Sequence, residues 1–105
     1  MADTPQRKQR LSAPPGPALE RPMNLGARQA RFGSDVVADT LRSLDIPYIA
    51  LNPGASFRGL HDSLVNHLGN ERPTILLCLH EEHAVAIAHG WAKVTGRAMA
   101  AAVHG

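Results

Sequence analysis

The sequence predicts an open α/β sheet, mostly parallel, with helices on both faces in three layers. Helical and strand patterns alternate along residues 33–103, in the order helix, strand, helix, strand, helix, strand. Such alternation is typical of a parallel sheet. Residues 74–79 form an almost continuous apolar run, as expected of a strand covered on both faces. We therefore expect one α/β domain over residues 33–105, preceded by a disordered tail over residues 1–32.

The first predicted helix follows Gly33. Ser34 is a good N-cap, because its hydroxyl can accept a free backbone N–H of the first turn, and Asp35 suits the positive end of the helix dipole. The positions expected to face the core at helical spacing are Val36, Val37, Thr40, Leu41 and Leu44. Pro47 closes the helix, and residues 48–51 are predicted to form a short buried strand.

An Asn-Pro-Gly turn at residues 52–54 follows this strand. Pro53 fixes its own φ, and Gly54 is free to take a positive φ. Ser56 is predicted to cap a second helix, which Gly69 ends. The apolar stripe of this helix is Phe57, Leu60, Leu64, Val65 and Leu68.

A third helix is predicted over residues 82–95. Gly90 within it costs about 1 kcal/mol relative to Ala, so we expect a neighbour to pack closely there. The positions expected to face the core are Ala84, Ile87, Ala88, Trp91 and Val94. Gly96 should end the helix, and residues 99–103 should form a third strand. Three strands are few for such a sheet, and we expect the domain to be incomplete.

Charge is distributed unevenly along the chain. Residues 1–32 hold six basic and two acidic side chains, a net charge of +4, whereas residues 33–105 hold five basic and seven acidic ones, a net charge of −2. The first segment also contains five prolines and no sustained apolar period, which predicts disorder. A basic tail can contact nucleic acid or a membrane surface. The composition favours a solvated extension, so we expect neither partner.

The cellular compartment can be inferred from the number of cysteines and from the length of the apolar segments. Cys78 is the single cysteine, which excludes an internal disulfide, and its apolar neighbours predict burial. No apolar stretch reaches the roughly 18–20 residues of a transmembrane helix. The N-terminus lacks the apolar segment of a secretory signal. We therefore expect a cytoplasmic protein.

Polar side chains follow the predicted strands at residues 52–55, 80–83 and 104–105. Ligands of open α/β sheets bind beyond the carboxyl ends of the strands, where these loops should lie. The second loop places two carboxylates and two imidazoles within four positions, and Glu81 should emerge beside a helix N-terminus. An acidic residue there is also often only a helix cap, so the pattern alone leaves both interpretations open.

No metal site is predicted in this loop. The helical zinc-protease motif needs His, Glu, two further residues and a second His. His80 and Glu81 could begin such a motif, but position 84 is Ala. The motif is therefore absent.

Several short motifs occur in one order along residues 33–105. They are the stretch from Gly33 to Leu44, the Asn-Pro-Gly turn, His80-Glu81 with Ala84, and Gly-Trp-Ala-Lys-Val-Thr-Gly-Arg at residues 90–97. In this order and spacing, the motifs resemble the start of the pyrimidine-binding domain of thiamine-diphosphate enzymes. That group includes acetolactate synthases, benzoylformate decarboxylases and oxalyl-CoA decarboxylases.

The resemblance implies a catalytic role for Glu81. In relatives, the corresponding glutamate hydrogen-bonds N1′ of the aminopyrimidine ring and favours the imino tautomer, whose nitrogen takes the proton from thiazolium C2. The activated cofactor then attacks a 2-keto acid, and CO₂ leaves. The implied function is that of a 2-keto-acid decarboxylase or carboligase, in which Asn52, Pro53 and Gly54 also lie at the cofactor.

His104 is the second catalytic candidate. It falls where decarboxylases similar to benzoylformate decarboxylase place an active-site histidine, which implies a proton donor or a substrate contact. An exposed loop histidine is the alternative. Ala55 departs from that branch, which often has Ser at this position.

The implied cofactor is thiamine diphosphate with Mg²⁺. Relatives hold the metal on a separate domain through a Gly-Asp-Gly…Asn motif, which this sequence lacks. The resemblance therefore implies the N-terminal fragment of an enzyme that acts on a small 2-keto acid. Its partner would be a second copy, with the cofactor between the subunits. A non-catalytic truncated relic, or an interaction module with a basic tail, is the alternative.

Overall fold

The computed structural model describes residues 29–104. The predicted tail over residues 1–32 thus lies largely outside the described residues. The elements are α1 (Gly33–Ser43), β1 (Tyr48–Leu51), a 3₁₀ turn (Ala55–Phe57), α2 (Arg58–Asp62), a π-helical turn (Ser63–His67), β2 (Thr74–Leu77), α3 (Glu81–Thr95) and β3 (Ala100–Ala102). Within this range, no helix combines the length and the apolar character that a membrane crossing would need.

The three strands form one parallel sheet in the order β2-β1-β3. Tyr48 of β1 lies opposite Thr74 of β2, and Ile49 lies opposite Ala100 of β3. Because both neighbours run parallel to β1, the carboxyl ends of all three strands meet at one edge of the sheet. The sheet type is confirmed, although β2 and β3 are each two residues shorter than the sequence predicted.

Helices cover both faces of this sheet. One apolar cluster lies between α1, the π-helical turn and β1, and its buried members are Ala38, Ile49, Leu64 and Leu68. A second cluster lies between β1 and α3, and its buried members are Ala50, Cys78 and Ala84. Ile49 and Ala50 are successive strand residues, so their side chains point to opposite faces. The three-layer α/β architecture and the burial of Cys78 are both confirmed.

The start of α1 differs from the prediction. Phe32 is the N-cap, and Ser34 lies inside the first turn. The carboxylate of Asp35 reaches back to accept the backbone N–H groups of Arg31, at 2.9 Å, and Phe32, at 3.2 Å. Asp35 therefore binds N–H groups at and just before the N-cap, and not the first-turn N–H groups that the Ser34 hydroxyl was expected to accept.

The buried face of α1 also differs from the prediction. Val36, Val37 and Leu44, which we expected in the core, are 57%, 49% and 66% exposed. Asp35 and Ala38 are buried instead. A charged residue can occupy the inner face because backbone and side-chain donors satisfy its carboxylate.

The second helix has the predicted apolar stripe but a different start. Leu64, Val65 and Leu68 are buried as expected. The helix begins with the 3₁₀ turn, and the Ser56 side chain makes no capping hydrogen bond there. Gly69 follows its last turn with a φ of 73°, which confirms its role as the stop.

The outer face of α3 carries apolar side chains that the sequence placed in the core. The helix begins at Glu81, one residue earlier than predicted, and Ala84 is buried as expected. Ile87 and Val94, however, are 42% and 87% exposed. No atom of the described residues lies within 4 Å of the position that a Cβ on Gly90 would take. The close packing expected at Gly90 is therefore wrong for this part of the chain.

Charged side chains close the loops at the amino-terminal edge of the sheet. Arg97 Nη2 lies 3.0 Å from Asp45 Oδ2, and Arg72 contacts the other oxygen of the same carboxylate. Gly96 ends α3 with a φ of 67°, as predicted. The Thr-Gly-Arg segment therefore fixes the turn between α3 and β3, at the edge opposite the carboxyl ends.

Candidate functional site

Asn52 connects the carboxyl ends of the three strands. Its backbone N–H donates to Ala102 O of β3 at 3.1 Å. Its side-chain Nδ2 donates to the carbonyl of Cys78, just beyond β2, at 3.2 Å. Cys78 N–H in turn donates to Leu51 O of β1 at 2.8 Å. Asn52 thus fixes the relative positions of the loops at this edge, and a direct contact with a cofactor stays a prediction.

Gly54 is important because it lacks a side chain, and its backbone is not in the left-handed conformation. Its φ is −150°, an extended value that any residue adopts, so the expected positive φ is wrong. A Cβ at this position would lie only 2.8 Å from both Cβ and Cγ of His104. The absence of a side chain at Gly54 therefore allows the Asn-Pro-Gly turn to approach His104.

His104 is hydrogen-bonded to a residue that the sequence did not single out for the site. Its Nδ1 lies 2.7 Å from Ser56 Oγ, and both residues are exposed at the carboxyl edge. The two positions are 48 residues apart. No local pattern could have paired them, because the contact exists only once β3 has joined β1.

Glu81 is the first residue of α3 and is half-buried, whereas Glu82 is exposed as expected. The turn that carries Glu81 is fixed by the hydrogen bond from Ala84 N–H to His80 O, at 3.3 Å, and by the burial of Ala84 against Ala50. Within residues 29–104, the Glu81 carboxylate has no hydrogen-bond partner. Free backbone N–H groups of the first helical turn give this position a positive potential.

The two histidines that flank these glutamates are exposed. The rings of His80 and His83 meet edge to face with centroids 5.3 Å apart. Along the described part of the chain, no group of three or more His, Cys, Asp and Glu side chains could hold a metal ion.

The site therefore consists of two parts at one edge of the sheet. Gly54 and His104 are in contact, and Ser56 belongs with them. Glu81 lies at the start of α3, and no hydrogen bond between described residues connects it to the first group. Pro53 is exposed in the turn between Asn52 and Gly54.

Comparison with protein families gives one match. The family described as thiamine pyrophosphate enzyme, N-terminal TPP binding domain, matches residues 31–105. The chain belongs to this family. No curated protein and no solved structure gave a match.

The matched region of this TPP binding domain begins at Arg31, two residues before Gly33, where the sequence predicted the domain to start. Arg31 and Phe32 are also the residues whose N–H groups bind Asp35. The resemblance to thiamine-diphosphate enzymes is confirmed at the level of the family. Its acetolactate-synthase-like or benzoylformate-decarboxylase-like branch stays a prediction.

The residues of this TPP binding domain fit a cofactor ring at Glu81. Glu81 is half-buried as a residue, and its carboxylate has no hydrogen-bond donor among residues 29–104, so it can accept one from a ligand. The aminopyrimidine ring of thiamine diphosphate offers a donor when N1′ is protonated. A carboxylate can accept that hydrogen bond and can also share the proton, whereas an amide in the same place could not do both.

Proposed function

We propose that this chain supplies the aminopyrimidine side of the thiamine-diphosphate site in a 2-keto-acid decarboxylase or carboligase. The observation that carries the proposal is the position of Glu81. Glu81 is a half-buried residue at the start of α3, and its carboxylate lacks a hydrogen-bond partner among residues 29–104. It occupies this position in a chain that belongs to the TPP-enzyme family.

In this proposal, Glu81 holds a proton at N1′ of the aminopyrimidine ring. Sharing that proton between N1′ and the carboxylate would favour the imino tautomer of the ring, whose nitrogen can accept a proton. When bound, thiamine diphosphate supplies the reactive carbon and the electron sink for decarboxylation. Glu82, one residue further round the helix and exposed, takes no part.

His104 is the second side chain that we place at the reacting atoms. Its ring lies at the same edge of the sheet and contacts the Asn-Pro-Gly turn through Gly54. An imidazole there can give a proton to the substrate or take one from it. We propose that it meets the small 2-keto acid rather than the cofactor ring.

We also propose that the diphosphate and Mg²⁺ bind outside these residues. The sequence has no Gly-Asp-Gly segment, which relatives use to hold the metal. The resemblance implies a cofactor between two subunits, so the proposed partner is a second copy of the assembled enzyme. We use "assembled enzyme" for this domain together with the domain that holds the diphosphate.

The test of Glu81 compares two isosteric variants of the assembled enzyme, Glu81→Gln and Glu82→Gln. We expect Glu81→Gln to lower turnover by about 10²–10⁴-fold at saturating cofactor, the usual loss for one positioned acid–base group. Glu82→Gln should retain turnover close to that of the wild type, because it removes only an exposed charge. Exchange of the C2 proton of the bound cofactor, followed by NMR, reports the same step directly. Wild-type exchange in Glu81→Gln would refute the proposal.

The shared site can be tested by mixing inactive subunits. One parent carries Glu81→Gln, and the other carries a defective diphosphate domain with Glu81 intact. If the cofactor lies between two subunits, a mixed dimer contains one complete site, and activity returns when the parents are mixed. A mixture as inactive as its parents would show that each site is built within one subunit.

A further inference from the structure

The pair formed by Ser56 and His104 has a geometry that suits proton transfer. Ser56 Oγ lies 2.7 Å from His104 Nδ1, the usual length of a good hydrogen bond. This contact occupies one ring nitrogen. Among residues 29–104, Nε2 has no hydrogen-bond partner, so it is the nitrogen left for a substrate.

A hydroxyl is a particular kind of partner for an imidazole. It can accept from Nδ1–H, which leaves Nε2 of the neutral ring free to take a proton, and it can donate to Nδ1 in the other neutral tautomer. A carboxylate can only accept, and a backbone N–H can only donate. While Ser56 accepts from Nδ1–H, its hydrogen bond is kept as Nε2 gains or loses a proton.

The surrounding backbone fixes both members of the pair. Ala102, two residues before His104, accepts the N–H of Asn52 at 3.1 Å, which joins the end of β3 to the end of β1. Phe57 N–H donates to Gly54 O at 3.4 Å and closes the turn that carries Ser56. Gly54 has no side chain, and a Cβ at this position would lie only 2.8 Å from Cβ and Cγ of His104.

We propose that Ser56 is a positioning residue for His104: it holds Nδ1, fixes the ring orientation and presents Nε2 to the substrate. The inference rests on the proposed function, because that function gives Nε2 a proton to transfer. Ser56 itself need not touch the substrate. Ala55 occupies the position where the benzoylformate-decarboxylase-like branch often has Ser. In this chain the next residue, Ser56, supplies a hydroxyl instead.

The first measurement uses the full 105-residue chain labelled with ¹⁵N in its histidines. In the wild type, we expect the neutral His104 ring to show one dominant tautomer, with two well-separated ¹⁵N shifts. Ser56→Ala should bring those shifts together, because the released ring exchanges between tautomers, and Ser56→Thr should restore them. Ser43→Ala is the matched control, since Ser43 Oγ donates to Thr40 O at 2.8 Å in an exposed position of α1. His104 shifts that are the same in Ser56→Ala and in the wild type would overturn the proposal.

The second measurement is turnover of the assembled enzyme with the same variants. We expect Ser56→Ala to lower kcat by about 10–100-fold with little change in KM, because a misplaced group slows the chemical step more than it weakens binding. Ser56→Thr should recover most of the loss. If Ser56→Ala changes the ¹⁵N shifts but leaves kcat unchanged, the role given to His104 under the proposed function is wrong, whereas the hold of Ser56 on the ring stands.

Discussion

Ser63 donates its hydroxyl hydrogen to Asp35 Oδ1 at 2.7 Å, across the contact between α1 and the π-helical turn. This hydrogen bond is the main reason why the pKa of Asp35 is lowered from its ordinary value, and the backbone N–H of Arg31 adds to it. Burial opposes these donors by disfavouring the charged form. The ionised carboxylate thus joins the first turn of α1 to the second helical segment.

The lowered pKa gives the stability of the chain a defined pH dependence. A carboxyl whose pKa is lower in the folded state stabilises the fold above its unfolded pKa, about 3.9 for Asp. That contribution is lost as the pH falls through the folded value. We expect Asp35→Asn to destabilise the chain at neutral pH, with a difference from the wild type that shrinks on acidification. Urea unfolding between about pH 7 and pH 3 measures this, and a difference independent of pH would contradict it. Asp62→Asn, at an exposed position, is the control at neutral pH.

Gly54→Ala should disturb His104 without straining the turn. The φ of Gly54 is extended, so the backbone accepts alanine, but the new methyl group would lie 2.8 Å from the root of the imidazole. We expect a loss of about 1–3 kcal/mol in unfolding free energy, as for other overpacked sites, together with a changed His104 ¹⁵N spectrum. Gly33→Ala is the control, since no atom of another part of residues 29–104 lies within 4 Å of its Cβ position. An unchanged His104 signal in Gly54→Ala would show that the ring is not held against the turn.

Gly90→Ala should have the opposite effect in the 105-residue chain. Gly90 lies inside α3, and no other element of the described part of the chain comes within 4 Å of its Cβ position. Alanine is favoured over glycine in a helix interior by about 1 kcal/mol, so we expect a gain of that order in unfolding free energy. A loss measured by urea unfolding would mean that a further element packs against this part of α3.

The isolated chain should not bind the complete cofactor tightly. We expect calorimetry with thiamine diphosphate and Mg²⁺ to give no micromolar site, and we expect no decarboxylase activity. The physical reason is that the sequence lacks the Gly-Asp-Gly…Asn segment that holds the metal and diphosphate in relatives. A micromolar dissociation constant for the 105 residues alone would refute this expectation.

The sequence was sufficient for the order of elements and for the sheet type, because these follow from apolar period and from the alternation of helix and strand. It was not sufficient for the orientation of α1. Hydropathy placed Val36 and Val37 inside, whereas the structure buries Asp35. A pattern of apolar residues does not show which carboxylate will find hydrogen-bond donors in the folded chain. Asp35 finds two in the backbone just before it and a third in the hydroxyl of Ser63, 28 residues away.

Of the candidate site, too, only part could be predicted from the sequence. Glu81 could be placed from its position after a strand and from the resemblance, since both depend on nearby residues. Ser56 could not, because its partner is remote in sequence and the local pattern favoured a helix cap. The role of Gly54 was missed for a related reason. The residue was expected to allow a positive φ in the turn, but it makes room for a side chain 50 positions later in the chain.

The hydrogen bond from Asn52 to Ala102 also has a consequence for the order of folding. The hydrogen bond from Asn52 N–H to Ala102 O and the approach of Gly54 to His104 both need β3 in place, and β3 is the last described element of the chain. Contacts between remote residues are formed after the entropy of closing a long loop has been overcome. We therefore expect these two contacts to form during synthesis only after β3 has emerged from the ribosome and joined the sheet. In pulse-labelled hydrogen exchange, the Asn52 amide should gain protection together with the amides of β3 and later than those of α1.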